Sequence, residues 1–131
     1  MTAHVVFTAI DPVTPATTSV TMVREVIRGA IGFDGVLMTD DISMQALSGA
    51  MRARSRAALA AGCDVVLHCN GRFDEMCDVA EAVPPLAGAA ARRVAAGLAW
   101  RRPGPEIDVA EARRRFAATM ASIGADATVR S

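Results

Sequence analysis

Two adjacent carboxylates, Asp40 and Asp41, close an apolar run, GVLMTD, at residues 35–40. A continuously apolar run that ends in polar residues is typical of a parallel strand buried on both faces. In α/β proteins the C-terminal ends of such strands carry the catalytic groups, so a carboxylate here could act as a nucleophile. An aspartate at a helix start also caps orphan backbone N–H groups, and a helix is expected to begin near Ser43 or Met44. The pattern alone leaves capping and catalysis open for the pair.

The histidines and cysteines give weaker signals. His4 lies near the chain start and His68 in a second apolar run at residues 64–69, and a lone histidine in such a run is more often packed than catalytic. The three cysteines, Cys63, Cys69 and Cys77, lack the paired spacing of a zinc site, so we expect no metal. Their odd number favours reduced thiols and a cytoplasmic location.

Apolar periodicity predicts alternating strands and helices. Strands are predicted at residues 3–9, 35–40 and 64–69. Helical spacing and stop signals predict five helices, at residues 19–30 (with Thr18 or Ser19 as cap), 46–61 (closed by Gly62), 73–83 (stopped by Pro84), 86–101 and 108–122.

This order predicts an α/β fold with three neighbouring parallel strands, either a doubly wound sheet or a slice of a (β/α)8 barrel. We expect His4, Asp40 and His68 to lie at the same C-terminal edge of that sheet. A complete barrel needs about 250 residues, so a chain of 131 residues would hold only part of one.

Composition narrows the classes of partner. Of the residues, 52% are hydrophobic and 21% charged, which is typical of a globular domain. The 14 basic and 14 acidic residues cancel, so nothing favours nucleic acid or an anionic membrane as a partner. No apolar run approaches the roughly 20 residues that span a bilayer, and the start MTAHVVFTAIDP lacks a signal-peptide pattern.

A resemblance then adds to this interpretation. The segment GFDGVLMTDDISMQAL, residues 32–47, resembles the nucleophile segment of glycoside hydrolase family 3 β-N-acetylhexosaminidases, whose pattern is G-F-x-G-[small apolar]-[ST]-D-D-[apolar]-S-M. The segments at residues 1–12, 15–17, 23–35 and 57–71 are similar to the same family and occur in the same order. The resemblance covers about residues 1–100, which we interpret as a partial catalytic barrel, and leaves a helical tail at residues 101–131.

The resemblance implies a (β/α)8-like barrel and retaining hydrolysis of terminal β-linked N-acetylglucosamine, from cell-wall muropeptides or oligosaccharides, without a metal or organic cofactor. It assigns the nucleophile to Asp40 and a supporting or capping role to Asp41. His4 is expected to line the pocket and Met44 to pack near the sugar.

One part of the family pattern is not found. In the family an Asp-His pair in a K-H-F-P-G-H-G-type segment acts as acid and base, and this sequence contains no such segment. We therefore expect the C-terminal part of a barrel that is inactive or nearly so by itself, or alternatively a non-catalytic binding or assembly module. Three strands taken from a barrel would expose their edges and side chains such as Val5, Leu37 and Val66, which favours self-association.

Overall fold

The computed structural model describes the backbone of residues 1–104 and 106–128, and the side chains as far as residue 123 within them. Two compact units are present, Met1–Arg101 and the residues from Arg102 onward. The helices are α1 (Thr21–Ala30), α2 (Met51–Ala61), α3 (Phe73–Ala82), α4 (Gly88–Leu98) and α5 (Val109–Thr128), and the strands are β1 (Met38–Asp41) and β2 (Val65–Leu67). Among the described residues no helix is long and apolar enough to cross a membrane.

The sheet of the first unit is a parallel pair formed by β1 and β2. Met38 pairs with Val65 and Asp41 with Leu67, so β1 carries one more residue than β2 between these two points. The side chain of Thr39 compensates for the irregularity, because its hydroxyl oxygen accepts the Leu67 N–H at 2.9 Å. The pairing brings the C-terminal ends of both strands to the same edge, as the sequence predicts for these two strands.

The predicted strand at residues 3–9 is not formed. The chain begins along β1, where the Thr2 N–H donates to the Met38 carbonyl at 2.9 Å, but the next link to β1 comes from the His4 side chain. The chain then turns at Phe7, whose carbonyl accepts the N–H groups of Ile10 and Asp11. A strand needs successive backbone bonds to a neighbour, and within the described residues the single backbone bond from the chain start to β1 comes from Thr2, before residues 3–9.

Helix α2 begins at Met51, five residues later than the sequence predicts. Gly49 has a φ of +90°, a left-handed conformation that interrupts a right-handed helix. The residues between Asp41 and Met51 form turns instead. Helix α3 ends before Pro84 as predicted, and α1 is wound as a π-helix, with the Ile31 N–H bonded to the Val26 carbonyl.

The core lies between β1 and the helices. Leu37 is 3% exposed and belongs to a buried cluster made of Val23, Leu37, Ala61 and Cys63, with Ile27 packed against it. Leu37 therefore faces the helices, and the expectation that it would be exposed is wrong. Val5, by contrast, is 51% exposed. Burying each large aliphatic side chain contributes about 1.5–3 kcal/mol.

A buried carboxylate joins α1, α4 and the segment that enters β1. Asp64, whose side chain is 3% exposed, accepts the Leu37 N–H at 2.8 Å and pairs with Arg28 at 2.7 Å and Arg93 at 3.0 Å. Arg93 also pairs with the exposed Asp34 at 2.9 Å. These ion pairs fix α4 to the segment that enters β1.

Candidate functional site

The candidate site lies at the C-terminal edge of the sheet, where β1 ends in Asp40 and Asp41. Ile42, the next residue, is fully buried, and its N–H donates to the Leu67 carbonyl of β2 at 2.9 Å. The two carboxylates are therefore held at a fixed place beside the end of β2. Both are half-buried.

The two carboxylates have different surroundings. Asp40 Oδ1 accepts the Asp41 N–H at 2.8 Å, and within the described residues no other hydrogen bond or ion pair engages the Asp40 side chain. Asp41 Oδ1 accepts the N–H groups of Ser43 at 3.0 Å and Cys69 at 3.2 Å, and its Oδ2 accepts the Ser43 hydroxyl at 2.7 Å. Both carboxylate oxygens of Asp41 thus accept hydrogen bonds from the protein, whereas Oδ2 of Asp40 accepts none from the described residues.

The hydrogen bonds at Asp41 also set its ionisation. Burial alone raises the pKa of this carboxyl group, but the hydrogen bonds from Ser43 and Cys69, with the nearby His68, outweigh burial and hold the pKa below its usual value. Asp41 is thus an anionic acceptor that closes the turn at Ser43 and links the ends of β1 and β2. No helix starts at this turn, so Asp41 caps a turn and not the expected helix near Ser43 or Met44.

His4 lies beside the pair, attached at both ring nitrogens. Its Nε2 is 2.8 Å from the Asp41 carbonyl oxygen and its Nδ1 is 2.8 Å from the Thr17 hydroxyl. Thr17 is fully buried, and its hydroxyl also contacts Thr2 and the Ala3 carbonyl. In the sequence Thr17 appears only within the family-like segment at residues 15–17, because a threonine in a proline-rich loop carries no chemical signal of its own.

His68 follows β2 and bonds to the start of α3. Its Nε2 is 2.9 Å from Glu75 Oε2, which also accepts a bond from the Asn70 amide at 2.7 Å. Both bonds lower the pKa of Glu75, and the bond from His68 has the larger effect. The structure thus brings both His4 and His68 near Asp41. No three histidine, cysteine or acidic side chains cluster to hold a metal ion in the part of the chain described.

Arg54 organises the loop that carries Met44. The Arg54 guanidinium donates to the carbonyls of Ile42 at 2.9 Å, Met44 at 3.1 Å and Gly49 at 2.8 Å. Met44 itself is 44% exposed. No sequence signal distinguishes Arg54 from the neighbouring Arg52 and Arg56.

Comparisons with known proteins agree with one another. Residues 1–96 match the family described as "Glycosyl hydrolase family 3 N terminal domain". The "Beta-hexosaminidase" of Alkalilimnicola ehrlichii is 50% identical over 72 residues, which are 53% of this chain and 20% of that relative. The chain thus spans about a fifth of that protein's length.

Solved structures give the same result. The β-N-acetylhexosaminidase of Beutenbergia cavernae is 38% identical and superposes with a TM-score of 0.60 over 74% of this chain and 32% of that one. A glycoside hydrolase family 3 β-N-acetylglucosaminidase from a Paenibacillus species shares the fold, with a TM-score of 0.67 at 24% identity over 83% of this chain and 24% of that one. By the extent of the family match, the chain belongs to the glycosyl hydrolase family 3 N-terminal domain family.

Proposed function

We propose that this chain is the nucleophile-bearing part of a retaining β-N-acetylhexosaminidase, and that Asp40 is the nucleophile. One observation carries the assignment: of the two adjacent carboxylates, Asp41 accepts three hydrogen bonds from the protein, whereas Asp40 accepts one. A nucleophile needs a free oxygen at the place where substrate arrives. The family membership and the hexosaminidase relatives support the class of reaction.

The chemistry of a retaining glycosidase fits such a carboxylate. Asp40 would attack the anomeric carbon of a terminal β-linked N-acetylhexosamine and form a glycosyl-enzyme ester, which water then hydrolyses. A second group protonates the leaving oxygen in the first step and activates water in the second. The Asp41 N–H, which donates to Asp40 Oδ1 at 2.8 Å, keeps the attacking carboxylate oriented.

The other parts of the proposal follow the same family. We infer that β1 and β2 belong to the C-terminal part of a (β/α)8-like barrel, since the chain superposes on larger family members. We infer that Met44, which is exposed on the loop that follows the pair, contacts the sugar. The proposed substrates are saccharides that end in N-acetylglucosamine, cell-wall muropeptides among them, in the cytoplasm.

Labelling with a slow glycosyl donor tests the assignment. A 2-fluoro sugar with an activated leaving group needs no acid to depart, so it reports on the nucleophile alone. We expect the folded chain to acquire one sugar on the peptide that contains Asp40, detected by mass spectrometry.

Two asparagine variants of adjacent residues provide the control. Asp40→Asn should abolish the label, while Asp41→Asn, once its fold is verified, should retain it at a reduced rate. A label that survives Asp40→Asn and disappears in Asp41→Asn would show that the nucleophile is wrongly assigned. A folded chain that takes up no label would favour the non-catalytic binding or assembly module.

A further inference from the structure

The peptide group that follows Asp41 is held at both ends. Its carbonyl oxygen lies 2.8 Å from His4 Nε2, and its N–H, which belongs to Ile42, donates to the Leu67 carbonyl at 2.9 Å. On the other side of the same residue, the Asp41 N–H donates to Asp40 Oδ1. The orientation of the Asp40 carboxylate is therefore linked through the Asp41 backbone to the imidazole of His4.

The acceptor determines where His4 carries its proton. A carbonyl oxygen only accepts hydrogen bonds, so Nε2 must carry hydrogen and donate to Asp41. Nδ1 then faces the Thr17 hydroxyl at 2.8 Å. With both ring nitrogens bonded to protein atoms, the imidazole has none left for a sugar hydroxyl.

Thr17 has a single hydroxyl proton for several partners. Its oxygen lies 2.8 Å from His4 Nδ1, 3.0 Å from the Ala3 carbonyl and 2.9 Å from the Thr2 hydroxyl. If His4 is neutral, Thr17 donates to Nδ1. If His4 is doubly protonated, Nδ1 donates to Thr17, and the Thr17 proton turns to the Ala3 carbonyl. In both states Nε2 keeps its hydrogen and donates it to the Asp41 carbonyl oxygen.

We propose that His4, oriented by Thr17, is a positioning residue that holds the Asp40–Asp41 backbone for nucleophilic attack without touching the sugar. The proposal rests on the proposed function, since positioning has a kinetic effect only if Asp40 attacks. The side chain of His4 takes the place that a backbone bond from a neighbouring strand would have at Asp41. Small displacements of a reacting group are costly, on the order of 10²-fold in rate for about 1 Å.

Substitution of the buried threonine separates positioning from direct contact with substrate. Thr17→Val keeps the shape of the side chain but removes the hydroxyl, and Thr17→Ser restores the hydroxyl. We expect Thr17→Val to slow the labelling of Asp40 by saturating 2-fluoro donor by about 10- to 100-fold, with the half-saturating donor concentration unchanged. Thr17→Ser should recover the rate to within a few-fold, and Thr18→Val, a neighbouring control, should leave it unaltered.

Other outcomes overturn the proposal. Equal rates in Thr17→Val and Thr17→Ser, or a loss that merely follows the folded fraction measured by circular dichroism, would reduce Thr17 to a structural role. A change confined to the half-saturating concentration would indicate contact with the sugar.

Nuclear magnetic resonance of the chain without attached sugar provides a measurement that does not depend on catalysis. The nitrogen shifts of the His4 ring should identify hydrogen on Nε2, and the Asp40 carboxyl and Asp41 amide signals should move in Thr17→Val but not in Thr17→Ser. Hydrogen on Nδ1 alone, or unmoved signals in Thr17→Val, would refute the positioning role. If the parent chain is not labelled while these signals behave as expected, the proposed function fails and the positioning contact stands.

Discussion

Replacing Asp64 by asparagine removes the charge from the most buried ion pairs of the first unit. The carboxylate is 3% exposed and pairs with two arginines whose side chains are 15% and 17% exposed. Breaking a buried pair by removing one partner costs about 3–5 kcal/mol, because the other charge is left uncompensated. Asparagine keeps an oxygen for the Leu37 N–H, and Arg93 keeps Asp34, so we expect the lower end, about 3 kcal/mol.

The chain offers a matched control for this substitution. Asp78 pairs with Arg52 at 2.8 Å, but these side chains are 41% and 46% exposed. An exposed pair of this kind contributes about 0–1 kcal/mol, so Asp78→Asn should change stability little. The free energy of unfolding of each variant is measured by urea denaturation at pH 7 and compared with the parent chain.

The difference in unfolding free energy between the two variants tests whether the buried ion pairs stabilise the first unit. A loss of about 3 kcal/mol is a large part of the 5–15 kcal/mol that stabilises a typical domain, so Asp64→Asn should lower the midpoint without changing the urea dependence. If the two variants lost the same free energy within about 1 kcal/mol, the buried ion pairs would not be what holds α4 to the segment that enters β1.

Further predictions concern Cys63, a member of the core cluster, and the neighbouring Gly62. Burial raises the pKa of the Cys63 thiol to about 11 from an ordinary 9.0, so at pH 8 a thiol reagent should react with exposed Cys69 and reach Cys63 only on unfolding. Because the folded pKa is the higher one, stability should fall as pH rises from 9 toward 11, and Cys63→Ala should reduce that dependence. Gly62→Ala should cost about 2 kcal/mol, since Gly62 has a φ of +120° and a Cβ there would lie 2.9 Å from a buried valine. Gly71→Ala shares the positive φ but meets nothing within 4 Å, so thermal melts should show a smaller loss, and equal losses would exclude the contact as the cause.

Sequence patterns predicted best where local chemistry decides the structure. The helical spacing of α3 and the stop signal at Pro84 are both local, and the helix forms where they indicate. The apolar run before Asp40 and Asp41 likewise gave β1, because its neighbour β2 is present to pair with it.

Sequence patterns predicted wrongly where contacts between residues distant in the chain determine the structure. Residues 3–9 have strand composition, but a strand exists only through its partners, and here His4 replaces the backbone bond by a side-chain bond. Helix α2 starts late because Gly49 turns left-handed and Arg54 satisfies the loop carbonyls. The different surroundings of Asp40 and Asp41 depend on Cys69, a residue 28 positions away from Asp41, and no local pattern contains that contact.

The bonds of Arg54 have a mechanical consequence. Three carbonyls of one loop accept hydrogen bonds from a single guanidinium, whose five donors lie in a rigid plane. The loop is therefore fixed to α2 and does not act as a hinge. Arg54 belongs to the first turns of α2, and the neighbouring Arg52 is paired with α3. A ligand that pushed this loop outward would have to break the Arg54 bonds or move α2, which is itself paired with α3.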